Sequence, residues 1–183
     1  MSQAVLRRRS WLVFFGIVIV GLGIGMLAAV CKVTSVNGFR TGWQGIPVYL
    51  AAAGICGRIA NSKVILREDV LIVVNPLRSH ILPKMAIHGV SVADDGTLEV
   101  RLSEDRSVAV FAFGGSLIDH FKGSSREAER KIGMWLDSAP AVSEPEAAAP
   151  QVRWTRCRSA DASFVLCAVI AGAGAIWMAL SGS

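Results

Sequence analysis

Residues Trp11–Cys31 read WLVFFGIVIVGLGIGMLAAVC and contain no charged side chain. About 21 residues of α-helix cover roughly 31 Å at ~1.5 Å per residue, enough to cross the hydrocarbon core of a bilayer. The stretch therefore predicts a membrane span over residues 11–31. A cleaved signal peptide is the disfavoured alternative, because the apolar run exceeds the usual ~7–15 residues and lacks a clean small-x-small cleavage site.

Two other stretches lack charge. Residues 41–57 read TGWQGIPVYLAAAGICG, which is short for a span and contains Gln44 and Pro47. Residues 162–183 contain the apolar core FVLCAVIAGAGAIWMAL, with Trp177 near one end as is common at membrane interfaces. We predict spans at about 42–58 and at 161–183. The composition of the segment at 42–58 does not by itself decide whether this segment crosses the membrane.

The distribution of arginine decides the second span. Arg7, Arg8 and Arg9 precede the first span, and Arg153, Arg156 and Arg158 precede the last span. The positive-inside rule makes both spans run from inside to outside, so the chain must return once between them. The expectation is a multi-pass protein of the cell (inner or plasma) membrane, with the N-terminus and the polar module cytoplasmic and the C-terminus outside.

Composition and charge narrow the function. The chain is 52% hydrophobic and 18% charged, which excludes a disordered chain and an ordinary soluble enzyme. Residues 63–137 carry 10 Lys/Arg and 11 Asp/Glu, so the net charge of +5 lies beside the apolar stretches. This pattern argues against nucleic acid as a partner. A transporter or channel is disfavoured because the apolar stretches 11–31, 41–57 and 162–183 hold no Asp, Glu, Lys, Arg or His.

Small residues and cysteines of the predicted spans have simple interpretations. The small-residue pairs Gly21/Gly25 and Ala53/Gly57 and the run Ala171–Ala175 would permit self-association, although Gly and Ala are common in membrane helices anyway. Cys31, Cys56, Cys157 and Cys167 lie in or beside membrane segments and are interpreted as reduced thiols, without a disulfide framework.

Residues 61–138 have the pattern of short strands. Leu98, Val100 and Leu102 alternate with polar residues, and Asp94-Asp95-Gly96 before them is a hairpin signal. The predicted strands are 63–67, 70–74, 78–82, 86–92, 97–103 and 108–113.

A single helix is predicted after these strands. Ser124-Ser125-Arg126-Glu127 resembles a capping box, and Ala128, Ile132, Trp135 and Leu136 then share one helical face. The expected fold class is α+β, in which membrane helices accompany a bent antiparallel sheet closed by this amphipathic helix. The domain prediction is a membrane hairpin (1–60), the module (61–138), an Ala/Pro/Glu linker with a basic juxtamembrane segment (139–160) and a last span (161–183).

Several segments together resemble a known family. The order of two membrane helices, ANSKVILRED, VVNPLRSHILP, the Asp-Asp-Gly hairpin, VFAFGGSLIDHF and a last membrane helix is similar to that of actinobacterial membrane proteins with a bacterial PH-like domain. These are related to the low-molecular-weight protein antigen PH domains. The resemblance implies a PH-like β-barrel with a C-terminal helix and implies no activity. The segment Leu82–Met85 departs from the Ile-Pro-Trp type segment of that group.

Catalytic and metal sites are not predicted. Ser116, Asp119 and His120 are the residue types of a hydrolytic triad, but they are too close in sequence to point at one another, and a G-x-S-x-G elbow is absent. His80, His88 and His120 lack the spacing of zinc sites. We therefore predict a protein without enzymatic activity, cofactor or metal.

Two functional hypotheses follow. The first is a cytoplasmic PH-like module that binds a membrane or cytoplasmic protein partner or assembles a membrane complex. The alternative is a module that senses a lipid headgroup or small ligand at the inner leaflet through the basic residues Lys63, Arg67, Arg78, His80 and Lys84.

Overall fold

A computed structural model of the chain describes residues 4–103, 106–114, 124–138 and 149–181. The described chain is α+β and divides into two compact units. One unit combines residues 1–9 with residues 61–155, and the other combines residues 10–60 with residues 156–183.

The bounds of the regular elements are as follows. The helices are α1 (Arg9–Asn37), α2 (Phe39–Gly42), α3 (Gly45–Ala60), α4 (Ser124–Asp137) and α5 (Arg158–Ser181). The strands are β1 (Ala4–Leu6), β2 (Lys63–Leu66), β3 (Val70–Val74), β4 (Arg78–Pro83), β5 (Gly89–Val92), β6 (Leu98–Ser103), β7 (Arg106–Ala109) and β8 (Gln151–Trp154). Short 3₁₀ turns cover Lys84–Ala86 and Phe111–Phe113.

Two of the helices, α1 and α5, are long and apolar enough to cross a membrane. Their most apolar windows contain no buried residue, and Ile17 and Leu180 are 68% and 74% exposed. A helix of a soluble core would bury such side chains. The prediction of long apolar helices at 11–31 and 161–183 is confirmed, and both helices extend toward their flanking arginines.

Helix α3 packs antiparallel to α1. The Tyr49 hydroxyl donates a hydrogen bond to the Ile19 carbonyl over 3.4 Å, and Gly45 lies against the Met26 side chain. Because later residues of α3 meet earlier residues of α1, the chain reverses direction between the two helices. Gly23 in α1 and Gly45 in α3 each lie against a long side chain of the other helix, Tyr49 and Met26 respectively.

Helix α3 is also antiparallel to α5. At one end, the Gln44 amide lies 3.8 Å from the Met178 sulfur. At the other end, Arg58 Nη2 lies 2.6 Å from Asp161 Oδ1. The Arg58 side chain is buried, whereas the Asp161 side chain is 39% exposed. This ion pair fixes the end of α3 to the start of α5.

The other unit contains a five-stranded sheet in the order β1-β2-β3-β4-β8, with every neighbouring pair antiparallel. Tight turns connect its central strands: the Arg67 N–H donates to the Val70 carbonyl, and the Asn75 N–H donates to the Arg78 carbonyl. Pro76 follows Asn75, where its fixed φ suits a turn. The predicted strands at 63–67, 70–74 and 78–82 are confirmed to within one residue.

The two edge strands of this sheet, β1 and β8, were not predicted from the sequence. Strand β1 lies directly before α1, inside the segment assigned to a membrane hairpin, and β8 lies inside the segment assigned to a linker. Thr155 follows β8 and is 2% exposed. Its N–H donates to the Leu77 carbonyl and its hydroxyl donates to the Asn75 carbonyl, so the end of β8 is anchored to the β3–β4 turn.

A second sheet has three antiparallel strands in the order β5-β6-β7. The Asp-Asp-Gly hairpin joins β5 to β6, and Gly96 has the positive φ of 82° that glycine tolerates best. The Asp95 carboxylate accepts hydrogen bonds from the Thr97 N–H and hydroxyl. These bonds, the backbone one first, lower the pKa of Asp95 below its ordinary value, so the turn is held by an ionised side chain.

Two predicted strands are corrected in their bounds. The strand predicted at 86–92 is confined to β5, because Lys84–Ala86 form a 3₁₀ turn. The strand predicted at 108–113 ends at Ala109, because Phe111–Phe113 form another 3₁₀ turn. Phe111–Phe113 and the pair Met85-Ala86 are apolar in sequence, so hydrophobicity alone does not separate these turns from the strands beside them.

Helix α4 packs on a single hydrophobic core that draws residues from both sheets. Ala128 and Ile132 are 3% and 0% exposed, and Trp135 and Leu136 pack against the same core. The predicted apolar face is therefore confirmed. The Trp135 indole N–H donates to the Arg67 carbonyl over 2.7 Å, which ties the helix to the β2–β3 turn. Residues 139–148 of the linker predicted at 139–160 lie outside the described residues.

Candidate functional site

The five basic residues predicted to hold a headgroup lie at separate places in the module. Lys63 is opposite Val74, which is opposite Ser79, so these three share one face of the sheet. Arg78 and His80 flank Ser79 and therefore belong to the other face. The register thus does not bring Lys63 together with Arg78 and His80.

The remaining two predicted residues lie near α4. Arg67 is exposed in the β2–β3 turn. The Lys84 ammonium donates to the Ser138 carbonyl and hydroxyl, and it lies 5.1 Å from the centre of the Trp135 ring. A cation that binds the last residues of a helix is favourably placed in the helix dipole. Lys84 therefore has a local structural role.

His80 is a weaker candidate for binding an anion than the sequence suggests. Partial burial, followed by the positive charge of Arg78, lowers the pKa of His80 below its ordinary value of 6.5. The imidazole is then mainly neutral near pH 7. A headgroup phosphate at this place would depend on Arg78 rather than on the histidine.

A groove of about 490 Å³ lies between the start of β5 and the last turns of α4. Its wall on the strand side includes Gly89 and Val90, and its wall on the helix side includes Gly133 and Leu136. The 3₁₀ turn closes one end with Lys84 and with Met85, whose side chain is 84% exposed. Glycines in both walls leave room for a bound chain between the strand and the helix.

Strand β5 is an edge strand among the described residues. Ala93 donates to the Thr97 carbonyl of the β5–β6 hairpin, while the Leu98 carbonyl accepts from Val110 on the other side of β6. Since backbone groups of an antiparallel strand alternate in direction, Val90 and Val92 point their N–H and C=O groups away from β6. This edge can add a further strand.

In the described ranges, three or more His, Cys, Asp or Glu side chains never group as a metal site would require. Ser116, Asp119 and His120 lie outside the described residues, so the triad interpretation is not addressed there. The four cysteines are free thiols, and the Cys167 thiol donates to the Pro47 carbonyl between α5 and α3.

Comparisons with known proteins return no match. No family model, curated protein or solved structure is similar enough to this chain to be assigned to it.

The groove beside β5 was not predicted from the sequence. Its signals in the sequence are weak: an exposed methionine at position 85 and glycines at positions 89 and 133, none of which belongs to a motif. The groove exists because α4 packs beside β5, which is a contact between segments about forty residues apart in the chain.

Proposed function

We propose that this protein is a three-span membrane protein that presents a cytoplasmic PH-like module, and that the module binds an extended segment of a protein partner along β5. The observation that carries the proposal is the open edge of β5 beside the groove. Main-chain hydrogen bonds to such an edge supply affinity, and the pockets beside it supply specificity. The pairing of edge strands β1 and β8 supports the membrane topology.

Strand pairing supports three crossings. Strand β1 lies before α1 and pairs with β2, which lies after α3. Two paired strands must be on the same side of a bilayer, because a sheet cannot continue through the hydrocarbon core without closing into a barrel. If α1 crosses the membrane, the chain must cross back before β2, and α3 is the apolar helix in that interval.

The helix geometry agrees with this topology. Helix α3 has 16 residues and covers about 24 Å, which a local thinning of the bilayer accommodates at small cost. It packs antiparallel to both α1 and α5, as alternating crossings require. The positive-inside rule then puts the arginines before α1 and α5, and with them the module, in the cytoplasm.

The PH-like assignment is supported by the architecture. Two antiparallel sheets share one core, and a single C-terminal helix, α4, packs on that core. This is the arrangement that the family resemblance implies. The structure adds an outer strand from each neighbouring segment, β1 and β8.

Cysteine labelling tests the topology. In a cysteine-free background, a thiol at Asp94→Cys in the β5–β6 hairpin should react with an impermeant reagent only after the cells are permeabilised. A thiol at Asn37→Cys, at the end of α1, should react in intact cells. Labelling of Asp94→Cys in intact cells, or of Asn37→Cys only after permeabilisation, would contradict the proposed orientation.

A proline substitution tests the strand edge. Val90→Pro removes an N–H that points away from β6, so it deletes an outward donor without deleting a ladder hydrogen bond. After cross-linking in membranes, Val90→Pro should capture about tenfold less of the partner than wild type does, because one or two main-chain hydrogen bonds to the partner are lost. Val90→Ala keeps the N–H and is the matched control.

The location of the contact can be checked separately. A photo-reactive amino acid at Met85, on the rim of the groove, should cross-link to the partner, whereas the same group at Leu77 should not. Leu77 is 57% exposed and lies in the β3–β4 turn, away from the groove. Equal capture by Val90→Pro and Val90→Ala, or stronger cross-linking from Leu77 than from Met85, would refute binding along β5.

A further inference from the structure

A second cavity in the module combines four cationic lining residues with four apolar ones. It has a volume of about 340 Å³ and lies where β1 leads into α1, beside α4. Arg7, Arg8, Arg9 and Lys131 line it, and Glu127 is the only carboxylate among its described lining residues. The described wall therefore carries four positive charges and one negative charge.

The backbone holds these arginines in place. Leu6 pairs with Val64 in the sheet, and Arg9 is the first residue of α1, so the tripeptide Arg7–Arg9 is fixed at both ends by regular structure. Arg8 is 9% exposed, whereas Arg7 and Arg9 are exposed. The backbone of the tripeptide and the buried Arg8 side chain therefore have little conformational freedom left to lose when an anion binds.

We infer that this cavity is a binding site for a phosphate group, and that the phosphate belongs to an anionic lipid headgroup. A guanidinium group binds a phosphate through two parallel N–H···O hydrogen bonds. This geometry favours phosphate over a surface with diffuse negative charge. The cavity begins at the residue where α1 begins, and α1 is long and apolar enough to cross a bilayer. A lipid phosphate is therefore the nearest source of this chemistry. The site is distinct from the groove at β5 and does not depend on it.

A substitution of Glu127 tests the site through a gain of binding, which a loss of folding would not produce. Its carboxylate lies 2.7 Å from the Lys131 ammonium, and both side chains are substantially exposed. Glu127→Gln removes the negative charge from the cavity wall and releases Lys131 toward a ligand. This variant should bind the anion more tightly, whereas Glu129→Gln, the same change on the same helix outside the cavity lining, should bind as wild type.

The experiment is a lipid titration of the detergent-solubilised full chain, followed by native mass spectrometry. Phosphatidylglycerol should be retained more strongly than phosphatidylcholine. The double variant Arg7→Gln/Arg9→Gln should weaken phosphatidylglycerol binding by about fivefold for each charge removed. Arg106→Gln, which removes an exposed charge from β7, should leave binding unchanged.

A parallel titration with glycerol 1-phosphate distinguishes the two sources of phosphate. Retention of phosphatidylglycerol with weak binding of the soluble compound supports a lipid site. Equal affinity for both would overturn the lipid assignment in favour of a soluble phosphate ligand. Equal retention of phosphatidylglycerol and phosphatidylcholine, equal losses in Arg106→Gln and the double variant, or no gain in Glu127→Gln would overturn the site itself.

Discussion

Ile132→Ala is expected to lower the free energy of unfolding of the module by about 2–5 kcal/mol, because it leaves a cavity in the fully buried core. Ile132 is 0% exposed and lies on the face of α4 that packs against both sheets. The loss should appear as faster hydrogen exchange throughout α4 and the two sheets of the full chain in detergent, since these elements share one core.

Two further variants serve as controls for Ile132→Ala. Ile132→Val removes one methylene group and should cost about 0.5–1.5 kcal/mol. Met134 is two residues away and 58% exposed, so Met134→Ala should change stability by less than about 0.5 kcal/mol. If Met134→Ala were as damaging as Ile132→Ala, the face of α4 that packs on the core would be wrongly assigned.

The second large effect is expected in the helical unit. A side chain at Gly174 in α5 would overlap the Trp43 ring, which is 7% exposed and therefore has little room to move. Gly174→Leu should destabilise the packing of α5 by about 1–3 kcal/mol, as overpacked cores generally do. A fall in the temperature at which the detergent-solubilised chain loses its folded elution peak would measure this effect.

Gly172 is the matched control for this substitution. It lies two residues from Gly174 in the same helix, and a side chain there meets nothing within 4 Å. Gly172→Leu should be neutral or stabilising, because leucine has the better helix propensity by about 0.5–1 kcal/mol. Equal destabilisation by the two variants would mean that the Gly174–Trp43 contact does not contribute to the packing.

The sequence predicted the elements that have a long or regular pattern. The uncharged run at 11–31 and the alternation at Leu98, Val100 and Leu102 each repeat a signal over several residues, and both elements are present. The face of α4 was predictable because Ala128 and Ile132 are four residues apart, one turn of a helix. Hydrophobicity alone did not predict the end of a strand where an apolar 3₁₀ turn follows it, as at Phe111–Phe113.

The site was less predictable than the fold. The headgroup candidates were chosen by charge and strand position, but Lys63 shares a sheet face with Ser79 and not with Arg78 or His80. Arg7–Arg9 were interpreted as a membrane and topology signal and not as part of a cavity, because nothing in the sequence near them indicates Lys131 as a neighbour. Their juxtaposition depends on β1 pairing with β2 and on α4 packing beside it.

The sequence by itself determined the long apolar helices, the short strands and the amphipathic helix, because local periodicity fixes which face of each element avoids water. Only the tertiary structure decided that Ala4–Leu6 and Gln151–Trp154 are strands, since segments of three or four residues are stable in a sheet only when longer strands pair with them. It also decided the groove at β5 and the arginine-lined cavity, because each is formed by residues that packing brings together from distant parts of the chain.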